Sequence, residues 1–419
     1  MKMLRKNYIA AVSLLITSVT VEAAEINLTA SFSPSISSPE NNTFTNTTPI
    51  SGYCLLSQSN CSSDEFSIII PLASTNISPV NNGDSVSFAI PSANRMIRVT
   101  NENGDEHILN FRVSGFGASY QSFYLPGSSD TEDRNLWSGG NFANAPSPCI
   151  SGKISSWYWE TGVYVFFWGA PSQNVICTKT SKADRGDNLY RIYNANIMYT
   201  LQTPNPLQMN SGIYTGSYTY SVGTGMDFDF GGSKFSNSDS SLTFNFILSV
   251  NHELKVAMNT EELNVALQPC DVMKICSEEQ GKANWERWML TRATPVLTGR
   301  SRFSISSSGS FTAYLQCEYE IDANCGLKSE NSSQLVPVHT MLTLPENIVD
   351  AETGITVNKT PLNIGKQLSR NVFQTLSFGQ NRLGNIDFEV KQRDVDTMLT
   401  TRPDTYRGAV TVIFDSVIY

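Results

Sequence analysis

Pro403-Asp404-Thr405-Tyr406-Arg407-Gly408-Ala409-Val410-Thr411-Val412-Ile413-Phe414-Asp415 lies at the C-terminal end of the chain. From Ala409 onward its residues alternate. Read as a strand, Val410, Val412 and Phe414 share one face, and Ala409, Thr411 and Ile413 share the other. The first face is wholly apolar, as a strand covering a core requires. Tyr406 and Gly408 stand at the turn before it. The stretch reads as the last core strand of a β-sandwich.

Working back from it, the same two-residue period recurs. Leu242 to Val250 alternates over nine positions and is a second core strand. Further strands are expected at Ile26–Phe32, Phe66–Ile70, Val86–Ile90, Met96–Thr100, His107–Val113 and Tyr190–Leu201. In the C-terminal half they are expected at Arg302–Ile305, Phe311–Tyr319, Val336–Leu344, Gln374–Phe378 and Ile386–Lys391. Pro, Gly and Asn clusters separate them, with Asn101-Glu102-Asn103-Gly104-Asp105 the clearest turn. One helical piece is expected, Ser277–Leu290, where Trp285 and Trp288 share a face. No strand–helix–strand rhythm appears. The expectation is an all-β chain of two immunoglobulin-like β-sandwich domains. Tyr214-Thr215-Gly216 and Tyr406-Arg407-Gly408 form a faint internal echo near the ends of the two units. The junction is expected within Val256–Gln268, giving an N-terminal β domain at residues 24–265 and a C-terminal one at 266–419.

The chain opens with Lys2, Arg5 and Lys6, then an apolar run from Tyr8 to Val21, then the small residues Ala23 and Ala24. That order reads as a signal peptide, residues 1–23. The run is shorter than the roughly 20 apolar residues of a membrane span. Export sets an oxidising context for the eight cysteines, Cys54, Cys61, Cys149, Cys177, Cys270, Cys276, Cys317 and Cys325. Pairing between sequence neighbours is the expectation. A metal centre is disfavoured, because no Cys-x-x-Cys occurs and His107, His252 and His339 lie far apart. No cofactor is expected.

Formal net charge is −9, with 29 basic residues against 38 acidic ones. A nucleic-acid partner would call for a basic patch, and a membrane surface for a polybasic anchor. Neither is present in the sequence.

The C-terminal phrase resembles the last strand of fimbrial subunits of the chaperone–usher pathway. In that family a Gly-x-Tyr-x-Gly-like turn precedes an alternating strand at the extreme C-terminus. Here Asp404 replaces the first glycine, and Tyr419 is terminal rather than penultimate. The resemblance covers roughly Cys270–Tyr419 as a pilin domain. With the extra N-terminal half, the chain resembles a two-domain tip adhesin. That implies an incomplete sandwich completed by a donor strand, with Val410, Val412 and Phe414 facing it. It also implies a periplasmic chaperone, an outer-membrane usher and a next fimbrial subunit as partners, and a fimbrium at the cell surface. The N-terminal half would then bind a host glycan or protein receptor.

A glycan site needs a flat aromatic ring beside directional polar groups. Arg134, Trp137, Trp159, Glu160 and Tyr164 supply those types within the densest aromatic stretch, and they are the candidate ligand-binding surface. On the strand Val163–Trp168, Tyr164, Phe166 and Trp168 face one way, with Val165 and Phe167 opposite, so one set must be core. The rival readings are a structural or assembly-initiating minor pilin and a secreted glycan-active enzyme. An enzyme is not expected: no carboxylate pair is evident, and no Gly-x-Ser-x-Gly elbow occurs.

Overall fold

A computed structural model describes residues 24–416 apart from residue 36 and residues 38–41, 57–60, 123–135, 152–155, 159–162, 185–189 and 368–369. The described chain is all-β and forms two sandwich units with open, curled sheets, as the alternation predicts.

The first unit is built on β1 (Ala24–Phe32), β2 (Glu65–Ile69), β3 (Ser85–Ile90), β4 (Arg95–Thr100), β5 (Glu106–Ser122), β6 (Val163–Gly169), β7 (Val175–Thr180), β8 (Tyr190–Gln202), β9 (Gly212–Ser221), β10 (Asp229–Phe230) and β11 (Ser241–Val250). Its large sheet runs β8, β5, β4, β9, β11, β1 through the centre, with β2 on β8 and β6 on β5. A small sheet, β7–β3–β10, completes the sandwich. Alternation fixes which face is inside. On β11, Leu242, Phe244, Phe246, Leu248 and Val250 are buried, and the residues between them are half-exposed.

β1 runs parallel to β11, from Ala24 beside Leu242 to Phe32 beside Val250. β9 meets β11 antiparallel on its other edge. Ala24, Ile26, Leu28, Ala30 and Phe32 of β1 enter the core, while Glu25 and Asn27 face out. The last strand of this unit is therefore covered on both edges.

β6 is buried on both sides. Tyr164, Phe166 and Trp168 enter the main core. Phe167 points the other way and stacks at 4.0 Å on Tyr53 of the short helix α1 (Tyr53–Leu56). The Cys54–Cys61 disulfide anchors the chain at the residue after Tyr53.

The second unit contains β12 (Leu254–Ala257), β13 (Gln268–Cys270), α2 (Glu278–Thr291), β14 (Val296–Ser307), β15 (Phe311–Cys317), β16 (Asn324–Ser329), β17 (Leu335–Thr343), β18 (Val372–Thr375), β19 (Gly379–Val390) and β20 (Val410–Asp415). One sheet runs β12–β14–β19–β17–β16, and the other includes β18–β15–β20. Phe303, Ile305, Phe311, Leu315 and Phe373 form the core between them. α2 starts at Ser277, whose side chain and that of Gln280 form a reciprocal capping box. Trp285 and Trp288 stack at 4.8 Å on one face of α2, as their spacing predicts. Arg292 and Arg402 each lie over the Trp288 ring.

Four disulfides are present: Cys54–Cys61, Cys149–Cys177, Cys270–Cys276 and Cys317–Cys325. Each joins neighbours in sequence. Two elements differ from expectation. The strand expected at Gln374–Phe378 lies earlier, at Val372–Thr375. Leu254–Ala257, for which no strand was expected, is a strand that hydrogen-bonds to β14 of the second unit.

Candidate functional site: the open edge of the second unit

β20 has one neighbour in its sheet, β15, paired from Thr312 opposite Asp415 to Cys317 opposite Val410. Among the described residues no strand lies along the other edge of Val410–Phe414. Val410, Val412 and Phe414 pack onto the core but stay only half-buried. The contrast with β11 is direct. There the last strand is flanked by β1 and its inner face is closed.

β12 forms the edge of the opposite sheet. Leu254, Val256 and Met258 also pack onto the same core while half-buried. Phe303 of β14 meets Phe414 at 5.3 Å, and Phe311 of β15 meets it at 6.1 Å. The apolar interior thus reaches the sandwich edge at Phe414. The ends of β20 are polar. Lys366 Nζ lies 2.9 Å from Asp415 Oδ2, and the Ala409 amide donates to Glu318 Oε2 at 2.9 Å. An edge of backbone donors and acceptors above an apolar row suits one kind of occupant, an extended segment with alternate apolar side chains. The second unit is an incomplete sandwich whose open edge requires a donor strand.

The turn into β20 is held by side chains. Asp404 accepts from Ser329 Oγ at 2.6 Å and from the Thr405 amide at 2.8 Å. These bonds, Ser329 first, hold its carboxyl below the usual carboxylate range. The Tyr406 hydroxyl meets Gln334 and the Thr401 hydroxyl. Gly408 runs so close to β16 that an added Cβ would collide with the Gly326 carbonyl. Gly216 of β9 has the same role, since a Cβ there would strike the Arg98 carbonyl of β4. The Tyr-x-Gly echo therefore has one physical basis at both sites: a strand passing unusually close to a neighbouring backbone.

The expected glycan platform is not assembled from Trp137 and Tyr164. Each is 1% exposed. Trp137 packs edge-on against Tyr120 and Phe142, and Tyr164 is part of the same aromatic core. β6 is covered on both faces, with Tyr53 stacked on the one opposite Tyr164. Arg134, Trp159 and Glu160 lie outside the described residues. The half-buried residues of β12 and the ring of Phe303 were missed as parts of the open edge. The Leu254-Lys255-Val256-Ala257-Met258 alternation was their available signal.

Among the described residues, no group of three or more His, Cys, Asp or Glu is placed to hold a metal. None of the described helices is long and apolar enough to cross a membrane.

No family model matches the sequence, and no curated protein matches it. Solved structures similar to it include a chain from the chaperone–tip adhesin complex of CFA/I fimbriae. It is 11% identical, with a TM-score of 0.23, and the match covers 94% of this chain and 96% of that one. Another comes from the pre-assembly complex of chaperone and tip adhesion subunit of the archaic chaperone–usher Csu pili of Acinetobacter baumannii. It is 10% identical, with a TM-score of 0.23, covering 94% of this chain and 98% of that one. Likenesses this distant carry no argument about function.

Proposed function

We propose that the chain is a fimbrial subunit of the chaperone–usher kind, exported through the periplasm and carried at the fibre tip. In this reading the second unit accepts a strand first from a periplasmic chaperone and then from the next subunit, with an outer-membrane usher between the two steps. The first unit presents a receptor-binding surface, for which a host glycan is the ligand class. Its role is binding and assembly, without catalysis. The single observation that carries the proposal is the unpaired edge of Val410–Phe414 above a half-buried apolar row.

A terminal place in the fibre is supported by β1. Residues 24–32 are paired with β11 along their whole length, so they are not a loose segment available for donation to another subunit. The two units meet, in this proposal, at Asn251–Glu253 rather than at residue 265, because β12 pairs within the second unit. The burial of Trp137 and Tyr164 supports a second reading, a structural tip subunit without a glycan pocket.

The test has two parts. A synthetic peptide of alternating apolar residues is added to the purified chain, and thermal melting and mass spectrometry read strand capture. Stoichiometric capture with a raised melting temperature is expected, and no capture by the folded chain would refute the assembly reading. The captured complex is then applied to a glycan array and to host-cell surfaces. Saturable glycan binding supports the adhesin, and its absence transfers the proposal to the structural subunit.

A further inference from the structure

Three residues, Asn251–Glu253, join β11 of the first unit to β12 of the second. Each is tied down. The Asn251 amide donates to the Phe32 carbonyl at 3.0 Å, the His252 amide to Ser211 Oγ at 3.2 Å, and the Glu253 amide to Ser308 Oγ at 2.8 Å. The His252 ring lies between the units. Its Nε2 is 2.9 Å from the Met209 carbonyl of the first unit, and its Nδ1 is 3.2 Å from Ser308 Oγ of the second. Phe32 meets the ring edge-on at 5.6 Å. Gly309 lies under it, where an added Cβ would sit 2.5 Å from the ring.

These contacts fix the tautomer of the neutral ring. A carbonyl only accepts, so Nε2 carries the proton and donates to Met209. In a neutral imidazole Nδ1 is then the acceptor, and Ser308 donates its hydroxyl proton to it. Ser308 is fully buried, so that proton has no solvent alternative. Protonating Nδ1 turns the acceptor into a donor. It orphans the Ser308 hydroxyl proton and places a charge among Phe32, Met209, Ser211, Ser308 and Gly309, which are all neutral. Glu253 is the ionisable residue adjacent in sequence, and its amide is already committed to Ser308.

We infer that His252 is an acid-sensitive latch between the two units: neutral, it holds them at a fixed angle, and protonated, it releases them. This does not depend on what either unit binds. Burial lowers the imidazole from its ordinary value of 6.5, with the Met209 and Pro206 carbonyls acting in the opposite sense. The latch is therefore closed at neutral pH. Its contribution begins to fall as the pH drops through the ordinary imidazole value and is gone below the depressed one.

The experiment uses the full chain with spin labels on Thr219→Cys and Arg382→Cys, both exposed and one on each unit. Pulsed electron resonance reads the inter-label distance, and nuclear magnetic resonance follows the His252 ring in the same sample. A narrow distribution at neutral pH is expected, broadening in acid with the same midpoint as the His252 titration. His252→Gln, whose amide donates and accepts without titrating, should stay narrow throughout. Ser308→Ala should be broad already at neutral pH. The inference is overturned by a distribution that is broad at neutral pH, by one that acid leaves narrow after His252 has titrated, or by acid broadening that persists in His252→Gln. Should that variant fail to fold, the wild-type midpoints alone decide, and a mismatch between them overturns the latch.

Discussion

Arg300 and Asp387 stand opposite each other on β14 and β19, and the guanidinium grips the carboxylate with two bonds, Nε to Oδ1 at 2.6 Å and Nη2 to Oδ2 at 2.8 Å. Asp387 is buried, and Lys359 adds a more distant cation at 3.8 Å. The bond to Asp387 raises the guanidinium above its ordinary value. Arg300→Ala leaves a buried carboxylate with only Lys359. Arg300 is itself partly exposed, which reduces the cost. A loss of roughly 2 kcal/mol is expected in urea unfolding. Asp387→Asn with Arg300→Met should recover part of it.

The Tyr-x-Gly echo yields a paired prediction. Gly216→Ala and Gly408→Ala each force a methyl group into a neighbouring carbonyl, so each should cost about 1–3 kcal/mol. Calorimetry should place the first loss in the transition of the N-terminal unit and the second in that of the C-terminal unit. Equal stability of Gly216→Ala and wild type would contradict the close approach of β9 to β4.

Disulfide removal should scale with the loop each bridge closes. Cys149–Cys177 spans 28 residues of sequence and Cys270–Cys276 spans 6. Chain-entropy reasoning gives about 3–4 kcal/mol for the first and about 2 kcal/mol for the second. Paired Cys→Ala substitutions, compared by denaturant midpoint, test the order.

Asp105 carries a pH prediction. Burial pushes its carboxyl up, but the Tyr214 hydroxyl, Asn210 and His107 outweigh burial and hold it below 3.8. A depressed carboxyl stabilises the fold above its unfolded value, and that contribution is lost as pH falls through the folded one. Asp105→Asn should therefore be less stable than wild type at neutral pH and converge with it in strong acid. A constant difference across that range would rule out the charge as the cause.

Val412→Asp tests the open edge. A charge on the half-buried row should abolish capture of an alternating apolar peptide by the folded chain, and it should also lower the melting temperature of the empty chain, because Val412 packs on the core from one side. Thr411→Asp, on the exposed side, should leave capture intact.

What the sequence reveals divides along the reach of its interactions. β20, β11 and α2 are legible because alternation, or a cap and a helical spacing, are local properties of Val410–Phe414, Leu242–Val250 and Ser277–Gln280. Alternation assigns a face but names no partner. The parallel match of Ala24–Phe32 with β11 therefore has no local signature, nor does the lack, among the described residues, of a second partner for β20. The aromatic run at Tyr164–Trp168 illustrates the same limit. Its two faces are evident, but only Tyr53, far earlier in the chain, decides that the second is also covered. β12 was not among the expected strands, although Leu254, Val256 and Met258 carry the pattern.

The parallel seam between β1 and β11 also sets an order in time. The first residues of β1 wait for Leu242, at the other end of the same unit. The N-terminal unit cannot seal until nearly all of its own chain is present, whatever else has already collapsed. A closure between such distant segments is slow to find. The early part of this unit stays unsealed until its last strand arrives, and β1 is among the last of the unit's strands to settle.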